Sequence, residues 1–436
     1  MFLPIRFYYT AMVVIVVLAL GQLWPPLFYV GATLLVAFAL MLLVDIALLW
    51  TRRGITATRN CSSRFSNGDE NPVSIEVENN YPFAVKLNII DEIPHIFQRR
   101  DVNFPLRLKA GESGTLDYTL RPTKRGVYGF GYIRTFVTSP IGLVQRRFSN
   151  GEPTDVAVYP SYLMLNKYEF LAISNNLTDM GIKRIRRVGN NTEFEQIKSY
   201  VQGDDYRHIN WKASARTHHL MVNVYTDERS QQIINVIDKG RIMQQAFAGM
   251  TILDYAINAA LVLSYVALHR DDKAGIITFA DKFSDFVKPD RGPAQMNDIL
   301  ECLYHQTTDF AESDYSTLVA NVNHLAGQRS LLILYTNFFD YNSMLRQLPY
   351  LRQLNSRHRL VVVFFIDEER RDFISQQPHS TKDYYEHSIA AKIDNEQTLI
   401  INTLRQYGIN SLLTSPQNLS VNIINRYLEM KSRQMF

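Results

Sequence analysis

Cysteine is almost absent from this 436-residue sequence: Cys61 and Cys302 are its only two, 241 positions apart. That spacing forms no metal-ligand or redox motif, and two thiols cannot build a disulfide framework. A reducing compartment suits such a chain. A charge excess is also missing. Lysine plus arginine exceeds aspartate plus glutamate by four, 46 against 42, too little at this length to argue for a nucleic-acid partner. What the chain holds in quantity is apolar residues, 46% against 20% charged. That supply can bury sizeable cores, and the length suggests two or three domains.

The first fifty residues contain two long runs poor in charge. Phe7 to Trp24 has none in 18 residues, and Leu27 to Trp50 has one, Asp45, in 24. At about 1.5 Å of rise per residue, each helix would approach or span a hydrocarbon core of about 30 Å. Trp24-Pro25-Pro26 separates them as a turn, because proline ends one helix and starts the next. Tyr8, Tyr9, Trp24, Tyr29 and Trp50 stand near the ends, where amphipathic rings favour the membrane interface. No small-residue cleavage site is evident, and a second apolar run follows at once, which argues against a removable signal peptide. The expectation is a two-helix membrane hairpin over residues 1–54, with spans at 7–24 and 27–50. Arg6 precedes the first span; Arg52, Arg53, Arg59 and Arg64 follow the second, and the loop between has no basic residue. The positive-inside rule therefore makes this a multi-pass protein of the cell (inner) membrane, partnered by the lipid bilayer, with its soluble part cytoplasmic. Asp45 lies within two turns of the cytoplasmic end and is expected to reach the interface rather than serve an intramembrane function.

Residues 55–162 read as a small all-β domain. "PVSIEVENN", "FAVKLNIID" and "GTLDYTLRP" alternate apolar and polar side chains, and "RGVYGFGYIRTFVTSPIGLV" is aromatic and β-branched with glycines that suggest bulges. Short strands at this spacing predict an antiparallel sandwich, and no charged constellation in them looks catalytic. Residues 163–232 form a linker and a polar segment. Residues 233–436 change period: "IINVI", "AGIITF", "LLILYT" and "LVVVFFI" are unbroken apolar runs separated by helical segments such as "ILDYAINAALVLSYVALHR". Short apolar runs suit strands buried on both faces, and their alternation with helices predicts a doubly wound α/β domain. Ligands of such sheets sit at the carboxyl ends of the strands, which directs attention to the residues after each run.

The densest polar stretch is "YVQGDDYRHINWKASART", residues 200–217. Gly203 permits a tight turn, and Asp204 or Asp205 can cap a helix starting there. Arg207 and Arg216 can pair with those aspartates or with Glu193 and Glu195. Ile209 and Trp211 offer apolar anchors expected to bury against the α/β sheet. Read this way the stretch is a capped, ion-paired docking element. The other reading is enzymatic: Asp204, His208 and Ser214 are the residue types of a hydrolase triad. However, His208 and Ser214 are six apart and face different sides of a helix, and no nucleophile-elbow glycine pattern surrounds Ser214. "GIKRIRR", with Lys183, Arg184, Arg186 and Arg187, is a basic loop better suited to anionic lipid than to nucleic acid, since it lacks aromatics for base stacking. His218 and His219 are adjacent and cannot share a face as metal ligands.

Two resemblances follow from these residues. The strand ending in Asp238, the long helix after it and the later strands resemble a von Willebrand factor A domain. Glu193-Phe194, followed by Tyr200, Gly203, Asp204, Asp205, Arg207, Ile209 and Trp211 in Tyr-x-x-Gly-Asp-Asp-x-Arg-x-Ile-x-Trp, then Ser214, Ala215 and Arg216, resembles the signature of the domain of unknown function 58 family. The "RGVYGFGYIRTFVTSPIGL" and "NRYLEMKSR" stretches are similar to further elements of that family. The resemblance implies a membrane hairpin, a β domain and a von Willebrand A-like domain, a place in the bacterial cell envelope, and association with MoxR-type AAA+ ATPases; it brings no catalytic activity or cofactor. Von Willebrand A domains often bind Mg²⁺ through Asp-x-Ser-x-Ser, a threonine and a second aspartate. Here Asp238 matches, but Gly240 and Ile242 replace the serines and Asn337 stands at the third-loop position. Ser316 or Thr317 is left to supply the second-loop hydroxyl. Lys239 and Arg241 oppose a cation and offer Asp238 an ion pair instead. No metal is expected there.

Overall fold

The computed structural model describes the chain except residues 51–53, 98, 100–102, 166–192, 203, 205, 227–230, 339 and 434–436, and gives only the backbone of 193–196 and 224–226. The "GIKRIRR" loop, Gly203, Asp205 and the side chains of Glu193 and Glu195 lie outside the described residues. The chain divides into two compact units, Met1–Tyr159 and Pro160–Phe436.

The first unit begins with helices α1 (Ile5–Gly21) and α2 (Pro25–Trp50). α1 starts and stops earlier than the uncharged run suggests. Pro25 and Pro26 form the first turn of α2, where the missing N–H costs nothing. The two helices approach closely at glycine: a Cβ on Gly31 would lie 2.7 Å from the Leu18 side chain, and one on Gly21 2.7 Å from the Phe28 backbone. α2 is long and apolar enough to cross a membrane, and large side chains such as Tyr29, Met41 and Leu43 point outward. Asp45 is held by protein groups rather than by solvent. It is fully buried: its Oδ2 accepts the N–H groups of Leu143 and Val144, both at 2.8 Å, and its Oδ1 accepts the Ser139 hydroxyl. A loop that aims unpaired N–H groups at a carboxylate holds it more firmly than water would. Tyr81 and Arg146 donate to the Leu49 carbonyl at the end of the same helix. The apolar part of α2 therefore runs from Pro25 to Val44, about 30 Å of helix at 1.5 Å per residue.

Ten strands follow: β1 (Ile55–Cys61), β2 (Arg64–Ser66), β3 (Asn71–Asn79), β4 (Val85–Asp91), β5 (Asn103–Leu108), β6 (Ser113–Leu120), β7 (Gly126–Phe130), β8 (Ile133–Thr138), β9 (Gln145–Asn150) and β10 (Thr154–Tyr159). They form three small sheets, β1-β3-β6, β2-β10-β7 and β5-β4-β8-β9. Period-2 alternation turns Val73, Ile75 and Val77 of β3 into one core shared with residues of the other sheets. Against the all-antiparallel expectation, β2 and β10 pair in parallel, because the long excursion between them brings the chain back in the same direction.

The second unit contains the β11 (Glu193–Ser199) and β12 (Met221–Thr226) ribbon, with helix α3 (Trp211–Thr217) between its strands. Then come β13 (Gln232–Asp238), the short β14 (Ala246–Phe247) and β15 (Met250–Thr251), α4 (Ile252–Leu268), β16 (Lys273–Phe279), β17 (Phe283–Asp290), α5 (Gln295–Tyr304), α6 (Tyr315–Leu325), β18 (Leu331–Tyr335), α7 (Tyr341–Arg357), β19 (Arg359–Phe365), α8 (Glu368–Ser375), α9 (Thr381–Gln406), β20 (Asn410–Thr414) and α10 (Leu419–Ser432). The six-stranded sheet has the order β17-β16-β13-β18-β19-β20, parallel except for β17 at its edge. The four apolar runs are its four inner strands. Ile233 and Ile237 of β13 join a core with α4, α5 and α10, while Ile234 and Val236 join another with α6, α7 and α9. Both faces are covered, which is why these strands show no polar alternation.

Candidate functional site

β13 and β18 are parallel neighbours, and the chain leaves them in opposite directions across the sheet, toward β16 and β19. Where the order reverses, the loops at the carboxyl ends part and leave a crevice. Asp238, the last residue of β13, sits there and is only 2% exposed. Its Oδ1 accepts the Gly240 N–H at 2.8 Å and the Ser313 hydroxyl at 2.5 Å. Its Oδ2 accepts Thr336 at 2.7 Å and Tyr315 at 3.3 Å. Burial pushes the Asp238 carboxyl above the usual carboxylate range, while the Ser313, Thr336, Gly240 and Tyr315 donors pull it back.

The loop before α6 is stitched to the loop after β13. Lys239 Nζ donates to the Thr307 carbonyl at 3.3 Å, Thr308 Oγ1 to the Lys239 carbonyl at 2.6 Å, and the Arg241 N–H to the Ala311 carbonyl at 3.0 Å. Phe310 in this loop has a φ of +52°, a left-handed conformation that costs a non-glycine residue energy and is held by its surroundings. Beside Asp238 opens a cavity of about 1100 Å³, walled by Ile242, Phe310 and Phe338 and by the polar Arg241, Gln244, Gln245, Glu312, Arg346 and Gln347.

These residues do not fit a metal centre. A divalent ion needs oxygen lone pairs turned toward it. Gly240 and Ile242 have no side-chain oxygen, and Asn337 turns its Oδ1 to the Phe338 N–H at 3.1 Å. Ser316 and Thr317 do not reach Asp238; their hydroxyls donate to Asp314, the N-cap of α6, at 2.6 and 2.5 Å. The hydroxyl that does reach Asp238 is that of Ser313, and it occupies the place where a side chain at 240 would begin: a Cβ there would lie 1.9 Å from Ser313 Oγ, so that one of the two would have to shift. Among the described residues no group of three or more His, Cys, Asp or Glu is placed to hold a metal. The expected ion pair from Asp238 to Lys239 or Arg241 is replaced by these hydroxyls, because the loops that surround a buried carboxylate supply shorter donors than a long charged side chain.

The 200–217 segment differs from its sequence reading in three ways. A short 3₁₀ turn, Tyr206–His208, does start after Asp204-Asp205, but the longer helix α3 starts only at Trp211 and has its own N-cap, Asn210, which accepts the Ala213 N–H at 2.9 Å. Asp204 instead closes the turn before it, accepting the Val201 N–H at 2.9 Å and Lys198 Nζ at 2.8 Å. The Lys198 hydrogen bond, with the Val201 N–H, holds its carboxyl below the usual range, so its cation is not Arg207 or Arg216. Ser214 donates to the Asn210 carbonyl and accepts the Met221 N–H, both at 2.8 Å. This hydroxyl joins α3 to β12, and neither it nor Asp204 bonds to His208. Trp211 is the third difference: it is 70% exposed. A seven-residue helix on a two-stranded ribbon offers no slab on which to bury an indole. Tyr206 is 69% and Val201 61% exposed, and Leu220 and Ile197 also face outward. Tyr200, Arg207, Ile209 and Arg216 fall on the same segment, with Ile209 bridging to Val222.

Ser313, Tyr315, Thr336 and Arg346 are the site residues that the sequence does not single out. One signal was present: Asp314 followed by Tyr-Ser-Thr is an N-cap and first turn, which places Ser313 at a helix entrance.

Solved structures similar to parts of the chain include the CARDB domain of the PF1109 protein from Pyrococcus furiosus, at 17% identity and a TM-score of 0.19 over 24% of this chain and 93% of that one. The ASH/PapD-like domain of human CEP192 shares 10% identity, with a TM-score of 0.18 over 25% of this chain and 88% of that one. Proximal thread matrix protein 1 from the mussel byssus shares 12%, with a TM-score of 0.26 over 47% of each chain. Likenesses at these scores carry no argument about function. No curated protein matches the chain. The profile of the family described as "Protein of unknown function DUF58" matches residues 196–377, and this match supports the family resemblance read from the Gly-Asp-Asp segment.

Proposed function

We propose that this chain is a membrane-anchored protein-interaction module. Its helical pair anchors it in the cell (inner) membrane, and its β domain and von Willebrand A-like α/β domain face the cytoplasm. There it works with a partner of the kind the family resemblance implies, a MoxR-type AAA+ ATPase. The observation that carries the reading is the exposure of Trp211 and Tyr206 within the family-matched segment, since aromatic side chains held at a surface are typical anchors of protein interfaces. The hydroxyl of Ser214 and the carboxylate of Asp204 bond to groups other than His208, which weighs against the hydrolase reading. The strand order with an antiparallel edge strand supports the von Willebrand A-like assignment. The arginines that follow α2 support the orientation.

Photo-crosslinking from position 206 in membranes tests the reading. The expected product is an AAA+ ATPase adduct that Trp211→Ala removes while the melting curve stays unchanged. Adducts only to lipid, or adducts indifferent to Trp211, would refute it. Topology is tested with an impermeant thiol reagent on Lys382→Cys, whose side chain is 82% exposed. Cys61 and Cys302 serve poorly, because burial raises both thiols, Cys302 to about 11. Labelling of intact cells would overturn the cytoplasmic placement.

A further inference from the structure

We infer that the cleft beside Asp238 binds a carboxylate side chain of a protein partner through Arg241 and Arg346, without a metal ion. This deepens the interaction-module reading and rests on it. Arg241 and Arg346 line one cavity from opposite sequence contexts, the loop after β13 and the second turn of α7. Both are exposed, and neither forms a salt bridge among the described residues. Arg346 makes one long hydrogen bond, 3.4 Å to Ser343 Oγ, and lies in the field of Asp340. Two arginines that line one concave, partly apolar space offer it planar, forked donors suited to a carboxylate.

The floor of the cleft excludes the alternative of a bridging cation. Asp238 already accepts four donors, and Ser313 fills the position a ligand at 240 would need. The charge balance selects the ligand further. Any anion here meets the same two arginines and the same two carboxyl groups, Glu312 in the wall and Asp238 at the base; with those charges so nearly balanced, a dianion such as phosphate leaves the larger uncompensated negative charge and a single carboxylate the smaller. The cavity, at about 1100 Å³, exceeds the space one small anion needs. Gln244, Gln245 and Gln347 can satisfy peptide groups on either side of the acidic residue, and Ile242, Phe310 and Phe338 can take its apolar neighbours.

The test uses the full chain in detergent micelles and two probes, acetyl-Phe-Glu-Phe-amide and acetyl-Phe-Gln-Phe-amide, with binding followed by saturation-transfer NMR titration. The glutamate peptide is expected to bind about tenfold or more tightly, as one charge-assisted pair would give. Arg241→Gln with Arg346→Gln is expected to abolish that preference with an unchanged melting temperature, and EDTA is expected to alter nothing. Equal affinity for the two peptides, binding of neither at any attainable concentration, a preference that survives the double substitution, or one that needs Mg²⁺ would each overturn the inference. So would competition by inorganic phosphate stronger than that of the glutamate peptide, which would mark a small-anion site. Should the Trp211-dependent ATPase adduct persist while the peptides fail to differ, the cleft inference alone falls.

Discussion

Around Asp238 a cluster of polar residues is closed in on itself: the carboxylate is buried and each oxygen accepts two donors. In the 200–220 segment, the most polar stretch of the chain, Asp204, Asn210 and Ser214 are satisfied within the segment and its ribbon, and the apolar side chains Val201, Tyr206, Trp211 and Leu220 face solvent. The two regions invert what their compositions suggest. The difference comes from what lies beneath them. Asp238 sits at the end of a strand covered on both faces, so any polar group there must find protein partners. The segment lies on a two-stranded ribbon, which lacks the thickness to hide an aromatic ring.

The strongest way to break this contrast is Asp238→Ala. It takes the acceptor from three hydroxyls and an N–H, of which Tyr315 and Thr336 keep their bond to each other, and a loss of about 2–4 kcal/mol is expected in chemical unfolding. A loss under about 0.5 kcal/mol, the range of an ordinary surface change, would show that the cluster is not a unit. Asp238→Asn separates acceptor from charge. The folded-state carboxyl is raised by burial, so ionising it costs stability; that cost is absent below the ordinary carboxylate range and grows as pH rises through the folded value. The asparagine variant is therefore expected to gain on the parent from acid toward neutral pH, and a gap independent of pH would contradict the burial argument.

Gly240→Ser comes next. Its Cβ meets Ser313 Oγ, and the overpacking is expected to cost about 1–3 kcal/mol. Ser313→Ala should recover part of this in the double variant. A dose-dependent rise of the parent's melting temperature with Mg²⁺ would contradict the closed-cluster description, since a ligand of the folded state must stabilise it. In the segment, Ser214→Ala removes the hydroxyl between Asn210 and Met221 and is expected to cost about 1 kcal/mol. Trp211→Ala is expected to change stability by less than about 0.5 kcal/mol, as exposed positions do. A cost of about 3–5 kcal/mol, the range for a buried tryptophan, would restore the picture in which Trp211 docks on the sheet.

Legibility followed range. The Pro25-Pro26 break and the four inner strands of the six-stranded sheet were readable because apolar periodicity and proline act over a few residues. The antiparallel edge strand β17, with the sequence FSDFVKPD, carries too weak a pattern to stand out. In the 200–217 stretch the sequence shows that a helical turn begins after Asp204-Asp205, as Tyr206–His208 does, but not that a second helix begins at Trp211 under its own cap, because Asn210 is as good a cap as either aspartate and nothing local decides between them. The sequence places Asp45 near the end of an apolar run and gives no hint of the N–H groups of Leu143 and Val144 that meet it.

The sequence by itself determined where this chain is apolar, in which period and with which breaks, and hence the helical pair, the β region and the alternating strands and helices. Those properties belong to neighbours along the chain. The tertiary structure decided the fate of individual polar and aromatic groups: that Ser313, 75 residues on, and Thr336, 98 residues on, close around Asp238; that Ser139, 94 residues on, meets Asp45; and that Trp211 stays at the surface. Each depends on which distant loop arrives and how thick the layer beneath is, and a carboxylate or an indole has the same chemistry in the sequence whichever partner the fold delivers.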